Sequence, residues 1–256
     1  MGRVTGKVVV VTGAAGGQGA AEARALAAEG AVVIATDLLA PDLEDRNRIV
    51  CRALDVASEL DWAELAGWLR DERGATIHGL VNNAGIAMRE RLPDLTPAAL
   101  EHVMSINVTG ALLGIQAMSP LMTAGGSIVN VSSVAGLVGY HAVGYTISKW
   151  GIRALSRTAS LELGAQRIRV NAIFPGYIET PMTASAHPAF REANIEATPL
   201  RRVGRPEDVA PLVVFLISDE SAFISGAEIA VDGGLSAHGG AKSLSDAVAA
   251  ASIEQT

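Results

Sequence analysis

Tyr145 and Lys149 are well suited to acid–base chemistry by their types and their spacing. The chain has three tyrosines (Tyr140, Tyr145, Tyr177) and three lysines (Lys7, Lys149, Lys242) in 256 residues. A Tyr-x-x-x-Lys pair would therefore arise by chance with a frequency of about 0.04. A spacing of four along a helix stacks both side chains on one face. A phenol ionises near pH ~10, too high for easy proton exchange at neutral pH. A nearby ammonium would stabilise the phenolate, lower that pKa and make the phenol a general acid and base. The same spacing also suits an exposed pair on an amphipathic helix, so the elements around it must decide.

The N-terminus supplies such an element. Lys7-Val8-Val9-Val10-Val11-Thr12 reads as a strand buried on both faces, and Ala20 to about Glu29 as an Ala-rich helix. Between them lies Gly13-Ala14-Ala15-Gly16-Gly17-Gln18-Gly19. Strand, glycine turn and helix form the context of a dinucleotide-binding loop. Gly13 allows the tight turn, Gly17 the approach of a pyrophosphate, and Gly19 close packing; the helix start offers N–H groups to the anion. A second apolar run, Ala31 to Thr36, ends at Asp37, 24 residues after Gly13. A carboxylate there can accept hydrogen bonds from both adenosine ribose hydroxyls. A 2′-phosphate would meet its charge, and the sequence around it, with Gly16 in the loop and Leu38-Leu39 after the acid, offers no cation. NAD is therefore expected over NADP.

The remaining chain alternates short apolar runs with helical segments. Strands are expected over Arg48–Leu54, Ile77–Val81, Gly126–Ser132, Ile168–Ile173 and Glu228–Val231. Helices are expected over Trp62–Arg73, from Thr96-Pro97 to about Met122, around Tyr145, and from Arg205-Pro206. The pattern predicts a single-domain, Rossmann-type doubly wound α/β fold of about seven parallel strands with helices on both faces. Residues 1–235 form that domain, including a substrate loop at 181–200, and residues 236–256 form a C-terminal tail. Gly239-Gly240 followed by Leu244 to Ile253 leaves the tail either a short helix or disordered.

With 49% apolar residues and a net charge of −7 without a basic block, a nucleic-acid or anionic-membrane surface is not expected. Cys51 is the sole cysteine, which forbids an intrachain disulfide and suits a reducing compartment. No apolar run approaches ~18 residues, so no transmembrane span is expected, and with no signal-peptide pattern after the early valine run a cytoplasmic protein is expected. The five histidines lack metal-ligand spacing, and no metal site is expected.

Taken together, these motifs make the chain resemble the short-chain dehydrogenase/reductase family from Gly6 to about Gly234. The matching residues are Thr12-Gly13-x-x-x-Gly17-x-Gly19, Asp55, Asn82-x-Ala84-Gly85, Asn107, Ser133, Tyr145-x-x-x-Lys149 and Pro175-Gly176. Leu161 to Gly164, Arg169 to Asn171 and Gly226 to Gly234 are similar to bacterial hydroxysteroid dehydrogenases. The resemblance implies that Tyr145 exchanges the substrate proton and that Lys149 lowers its pKa and binds the nicotinamide ribose. It implies that Ser133 hydrogen-bonds the substrate oxygen and that Asn107 holds a water linking Lys149 to solvent. A mid-helix asparagine could instead satisfy backbone or mark a kink. Ser133-Val134-Ala135-Gly136 has the family's Ser-x-x-Gly register, but Ser133 lies twelve residues before Tyr145, one short of the usual spacing, so Ser132 competes by distance.

For the cofactor, the resemblance implies that Asp55 and Val56 embrace the adenine and that Asn82, Ala84 and Gly85 line its ribose. Leu38 follows Asp37 along the same rim. After Pro175-Gly176, the Ile178 backbone and the Thr180 hydroxyl would hold the carboxamide, and Thr180 could also cap the helix after Pro181. Gln18 stands where an aliphatic residue is commoner; its amide could reach the nicotinamide ribose or a phosphate, or point to solvent. The segment Met182 to Phe190, with Leu137, Val138, Tyr140 and Val143, would form a mostly apolar pocket. The expected substrate is a hydrophobic secondary alcohol or ketone, steroid-like or cyclic. Arg191, Arg201 and Arg202 could bind an acidic substrate but are better read as solvated; His141 could contact the substrate oxygen but is better read as a partly exposed loop histidine. The family also implies a homotetramer.

Overall fold

The valine run of β1 (Val8–Thr12) lies at the centre of a seven-stranded parallel sheet in the computed structural model, which describes residues 2–45, 47–73, 76–184 and 186–253. Alternation sends Val9 and Val11 into one apolar cluster and Val10 into another on the opposite face. That two-sided burial explains why the run is continuous rather than alternating in sequence. The chain then passes through α1 (Gly17–Ala28), β2 (Val32–Asp37), β3 (Ile49–Ala53), α2 (Glu59–Arg73) and β4 (Gly79–Asn82). It continues through α3 (Pro97–Met104), α4 (Gly110–Met118), β5 (Gly126–Val131), α5 (Val143–Leu163) and β6 (Ile168–Pro175). The last elements are α6 (Pro181–Ala184), α7 (Pro188–Ala197), α8 (Pro206–Ile217), β7 (Glu228–Val231) and α9 (Ala241–Ile253).

The strand order is β3-β2-β1-β4-β5-β6-β7, so the winding reverses between β1 and β4. All pairings are parallel, which brings Thr12, Asp37, Asn82, Val131 and Pro175 to one edge. A crevice at such a reversal, beyond the carboxyl ends of the strands, is where open α/β sheets take ligands. Helices α1 and α8 pack against each other over one face of the sheet. Trp62, Leu65 and Leu69 of α2 and Ile115 and Met118 of α4 fill the other.

The expected single helix from Pro97 to Met122 is interrupted. Thr96 caps it, its hydroxyl accepting from the Ala99 amide at 3.2 Å, and Pro97 occupies the first turn. A π-helical turn, Ser105–Thr109, separates α3 from α4. By length and composition the stretch Pro97–Leu121 could cross a membrane, with a mean hydropathy of 1.3. It is not a continuous apolar run, since Glu101, His102, Asn107 and Gln116 interrupt it. Here Val103, Ala111, Ile115 and Met118 of the stretch are buried within the protein. The tail includes α9, whose Asp246 pairs with Arg201 of the body at 3.0 Å; the expected tail residues 254–256 lie outside the described residues.

Candidate active site

Helix α5 presents Tyr145 and Lys149 on one face, as the four-residue spacing requires. The Lys149 ammonium donates to the Val131 carbonyl at the end of β5 (2.9 Å) and stands 5.5 Å from the centre of the Tyr145 ring. Lys149 is buried, and burial pushes its pKa down to about 8. Tyr145 differs from the sequence expectation. Burial raises its pKa, with a hydrogen bond to Ser133 acting in the opposite sense. Desolvation of the phenolate outweighs the other contributions in this arrangement.

Two adjacent serines have separate duties. The Ser132 hydroxyl is buried and donates to the Lys149 carbonyl at 2.9 Å, pinning β5 to α5. Ser133 accepts from the Ala135 amide at 3.2 Å and lines the cavity together with Tyr145. The Ser-x-x-Gly register has a physical cause. A Cβ on Gly136 would stand 2.6 Å from the Ser132 hydroxyl oxygen and 2.8 Å from the Lys149 carbonyl oxygen. Only a glycine lets this turn lie against α5. Despite the twelve-residue spacing, Ser133 and Tyr145 line the same cavity.

Asn107, inside the π turn, is buried and fully engaged. Its side-chain carbonyl accepts from the Ile86 amide (2.8 Å), and its amide donates to the Ile86 carbonyl (3.1 Å) and the Ser148 hydroxyl (2.9 Å). Ser148 in turn donates to the Tyr145 carbonyl at 2.7 Å. Asn107 thus braces the turn of α5 that carries the Tyr–Lys pair.

A cleft of about 320 Å³ runs from Asp37 to Tyr145 and is lined by Gly13, Gly17, Gln18, Asp37, Leu38, Asp55, Val56, Ala84, Gly85, Lys149 and Thr180. Asp37 is held by two backbone donors, Ala15 at 2.9 Å and Leu38 at 2.8 Å. Asp55 accepts from the Ala57 amide at 2.9 Å. Gly19 lies beneath the turn, where a Cβ would stand 2.2 Å from the Gly13 carbonyl oxygen. Thr180 directly precedes α6; its amide donates to the Thr183 hydroxyl (2.9 Å), its own hydroxyl lies 3.5 Å from that oxygen, and it lines the cleft across from Gly17. The Gln18 carbonyl oxygen is turned inward rather than to solvent, buried with no partner among the described residues.

Several expected residues sit elsewhere. Asn82 does not line the cleft: its amide donates to Asn130 (2.8 Å) and the Ala111 carbonyl (3.3 Å) in the core. It is the last residue of β4, and its side chain points beneath the sheet edge. The next residue, Asn83, lines the cleft and donates to the Thr12 and Gly13 carbonyls at 3.0 and 3.1 Å. Thr12 completes the lacing, its hydroxyl accepting from the Asn83 and Ala84 amides at 3.1 and 3.0 Å. Both were visible in the motifs, yet neither had a role assigned from sequence. Pro175 ends β6 in the core, Gly176 lines the neighbouring cavity, and Ile178 is buried with its carbonyl occupied by Thr183.

This geometry has counterparts in known proteins. The family model described as enoyl-(acyl carrier protein) reductase matches residues 13–236. The chain is 39% identical to the trans-4-hydroxycyclohexanecarboxylate dehydrogenase of Sinomonas cyclohexanicum, over 91% of this chain and 93% of that one. The chain belongs to the short-chain dehydrogenase/reductase family. A second member, the 3-alpha-(or 20-beta)-hydroxysteroid dehydrogenase of Mycobacterium tuberculosis, is 42% identical over 91% of this chain and 90% of its own. The crystal structure of gox2181 superposes with a TM-score of 0.85 at 30% identity, covering 92% of this chain and 97% of that one. As a short-chain dehydrogenase/reductase, the protein is an oxidoreductase.

Beside the cleft of this short-chain dehydrogenase/reductase lies a second cavity of about 470 Å³ that shares Tyr145 and Met182 with it. Its walls include Met88, Tyr140, His141, Tyr177, His187 and Phe190. Phe190 packs edge-on against Tyr177 (5.6 Å), His141 (6.0 Å) and Tyr140 (6.3 Å). Burial pushes the Tyr140 phenol up to about 12. His141, read from sequence as a partly exposed loop histidine, is exposed; it lies 4.3 Å from Tyr140 and also lines this cavity. Leu137, Val138 and Val143 are not on its lining. Ser185 of the expected substrate segment lies outside the described residues.

Proposed function

We propose that the protein is an NAD-dependent dehydrogenase of hydrophobic cyclic secondary alcohols, acting through Ser133, Tyr145 and Lys149. The observation that carries this reading is the Ser133–Tyr145 hydroxyl pair where the cleft meets the aromatic cavity. The cleft suits a dinucleotide because its glycine turn lies against Ala84 and its far end carries an anchored carboxylate. Asp37 would hold the adenosine ribose, Asp55 and Val56 the adenine, and Thr180 and Lys149 the nicotinamide end. Each Asp37 oxygen accepts one backbone bond and has a lone pair left for a ribose hydroxyl.

When bound, a nicotinamide supplies the acceptor or donor of hydride. The residues of the chain manage the proton. Ser133 orients the substrate oxygen, and the Tyr145 phenolate takes its proton during alcohol oxidation. At neutral pH Lys149 is largely protonated, since its pKa of about 8 lies above pH 7. Its positive charge then favours the phenolate form of Tyr145. Asn107 keeps both residues in place through Ser148. The aromatic lining of the cavity and the names of the two relatives support a cyclic alcohol.

We also propose assembly into a homo-oligomer, because Leu112 of α4 and Ile147, Trp150 and Leu161 of α5 are exposed apolar side chains. Sedimentation of the purified protein tests this. The main reading is tested by NADH formation from a panel of cyclic and steroid secondary alcohols, with NADP in parallel. Turnover with NAD that disappears in Tyr145→Phe is the expected result. Tight NAD binding without turnover on any alcohol or ketone would overturn the enzymatic reading.

A further inference from the structure

Behind the glycine turn, two polar side chains of α1 are enclosed without a donor. Gln18 Oε1, Glu22 Oε1 and Glu22 Oε2 are all buried with no partner among the described residues. The two residues stand four positions apart on α1, so the helix carries both side chains on one face. Gln18 lines the cleft, and Glu22 is completely buried.

An amide oxygen and a carboxylate are both acceptors, so as they stand the three oxygens have nothing to share. One proton closes the set, because a neutral carboxyl has an O–H to donate and an amide oxygen accepts it. Enclosed acceptors without a donor are costly, which favours the form that carries the proton. The surroundings agree. Helix α1 packs against α8, β1, β2 and β3. The titratable or charged side chains of those elements are Glu207 and Asp208 of α8, Asp37 of β2, and Cys51 and Arg52 of β3; α1 itself adds Arg24, which is exposed. None of them acts on Glu22, whose pKa burial alone pushes up to about 8. An amide carries its nitrogen on the branch opposite its oxygen, so a Gln18 oxygen kept inward presents two N–H donors to the cleft.

We infer that Glu22 is a positioning residue: as a neutral carboxyl it donates to the Gln18 carbonyl oxygen, which aims the Gln18 amide nitrogen at an acceptor oxygen of the dinucleotide. This rests on the reading of the cleft as a dinucleotide site. Ionised Glu22 has no proton to give, and the amide is released from that orientation. Binding then favours the protonated form, so its gain is present below about pH 8 and lost as pH rises through that value.

The test is calorimetric titration of the full chain with NAD and with ADP from pH 6 to 9.5. Lys149 lines the same cleft and also has a pKa of about 8, so the quantity read is the difference between the unmodified protein and Glu22→Gln. Glu22→Gln supplies an N–H donor that no pH in this range removes. Across the range the unmodified protein should lose roughly 10-fold more affinity for NAD than this variant does, about the contribution of one hydrogen bond to a charged group. Glu22→Met, of similar length and without a donor, should bind weakly already at pH 6 and show no extra fall. A fall shared by ADP assigns the acceptor to the pyrophosphate, and one confined to NAD assigns it to the ribose beyond. The extra fall should vanish in Gln18→Met. Its survival there would overturn the inference, since Glu22 would then act through the packing of α1. Equal pH profiles of the unmodified protein and Glu22→Gln would overturn it as well.

Infrared difference spectra between pH 7 and 9 give a readout apart from binding. One protonated-carboxyl band should be lost in the unmodified protein and be absent from Glu22→Gln. A Glu22-dependent fall in NAD affinity without turnover of any alcohol keeps this inference and removes the dehydrogenase. Turnover with NAD at equal pH profiles does the reverse.

Discussion

The cofactor cleft and the aromatic cavity meet at Tyr145, yet they are built in different ways. The cleft is made from backbone and short polar side chains at strand ends. Thr12 is laced to Asn83 and Ala84, Asp37 to Ala15 and Leu38, and Asn107 to Ile86. The cavity is made from long side chains on the segments after β4, before α5 and after β6, with Phe190 packed against three of its other rings. Hydrogen-bonded backbone has few alternative arrangements, whereas side-chain rings packed edge-on can repack. Changes in the cleft should therefore act on all substrates alike, and changes in the cavity should act on each substrate differently.

Four changes would break or sharpen that contrast. The largest effect belongs to their shared residue. Tyr145→Phe should lower kcat by about 10²- to 10⁴-fold for every alcohol, the usual contribution of a positioned acid–base group. NAD affinity, read by quenching of protein fluorescence, should change little. A general loss of NAD binding would show that Tyr145 belongs to the cleft more than to the chemistry.

Next comes stability on the cleft side. Glu22 of α1 is completely buried, both its carboxylate oxygens lack a partner among the described residues, and burial pushes its pKa up to about 8. A folded-state value above the unfolded one means that its stabilising contribution is present at low pH and lost as pH rises through about 8. The slope is about 1.4 kcal/mol per pH unit between the ordinary carboxylate range and that value. Urea midpoints measured from pH 5 to 9 should fall accordingly, and Glu22→Gln should flatten the trend. A flat profile in the unmodified protein would show that Glu22 finds a partner.

Asp37→Ala should weaken NAD binding by roughly 10- to 100-fold, as expected for lost bonds to a charged acceptor. NADP should be affected far less, so the NAD/NADP ratio of kcat/KM is the measurement. A ratio that stays unchanged would remove Asp37 from cofactor choice. The smallest effect is expected from Phe190→Ala. Each aromatic pair contributes about 0.5–1.5 kcal/mol, so KM should rise several-fold for bulky rings and less for small ones. An equal change for all substrates would contradict the distinction between cleft and cavity.

Much of the cleft was legible in sequence because its parts are local. The glycine turn, Asp37 at a strand end and the Tyr145–Lys149 spacing each follow from the period of a strand or helix. Asn82 and Asn83 were harder to separate. They are adjacent, and a strand end directs one side chain into the core and frees the next. The π turn at Ser105–Thr109 was invisible because its cause is tertiary: Asn107 is drawn to Ile86 and Ser148. The direction of the Tyr145 pKa was misjudged for a similar reason, since spacing reports the nearby ammonium but not the burial that outweighs it.

The sequence by itself determined the sheet, the dinucleotide cleft and the helix carrying the acid–base pair, because period and turn chemistry act over a few residues. Only the tertiary structure decided which serine faces the cavity and which asparagine faces the cleft. It also showed that Arg89, rather than Arg191, Arg201 or Arg202, lies on the cavity lining. Those outcomes depend on burial and on partners brought from distant parts of the chain, and no local pattern encodes them.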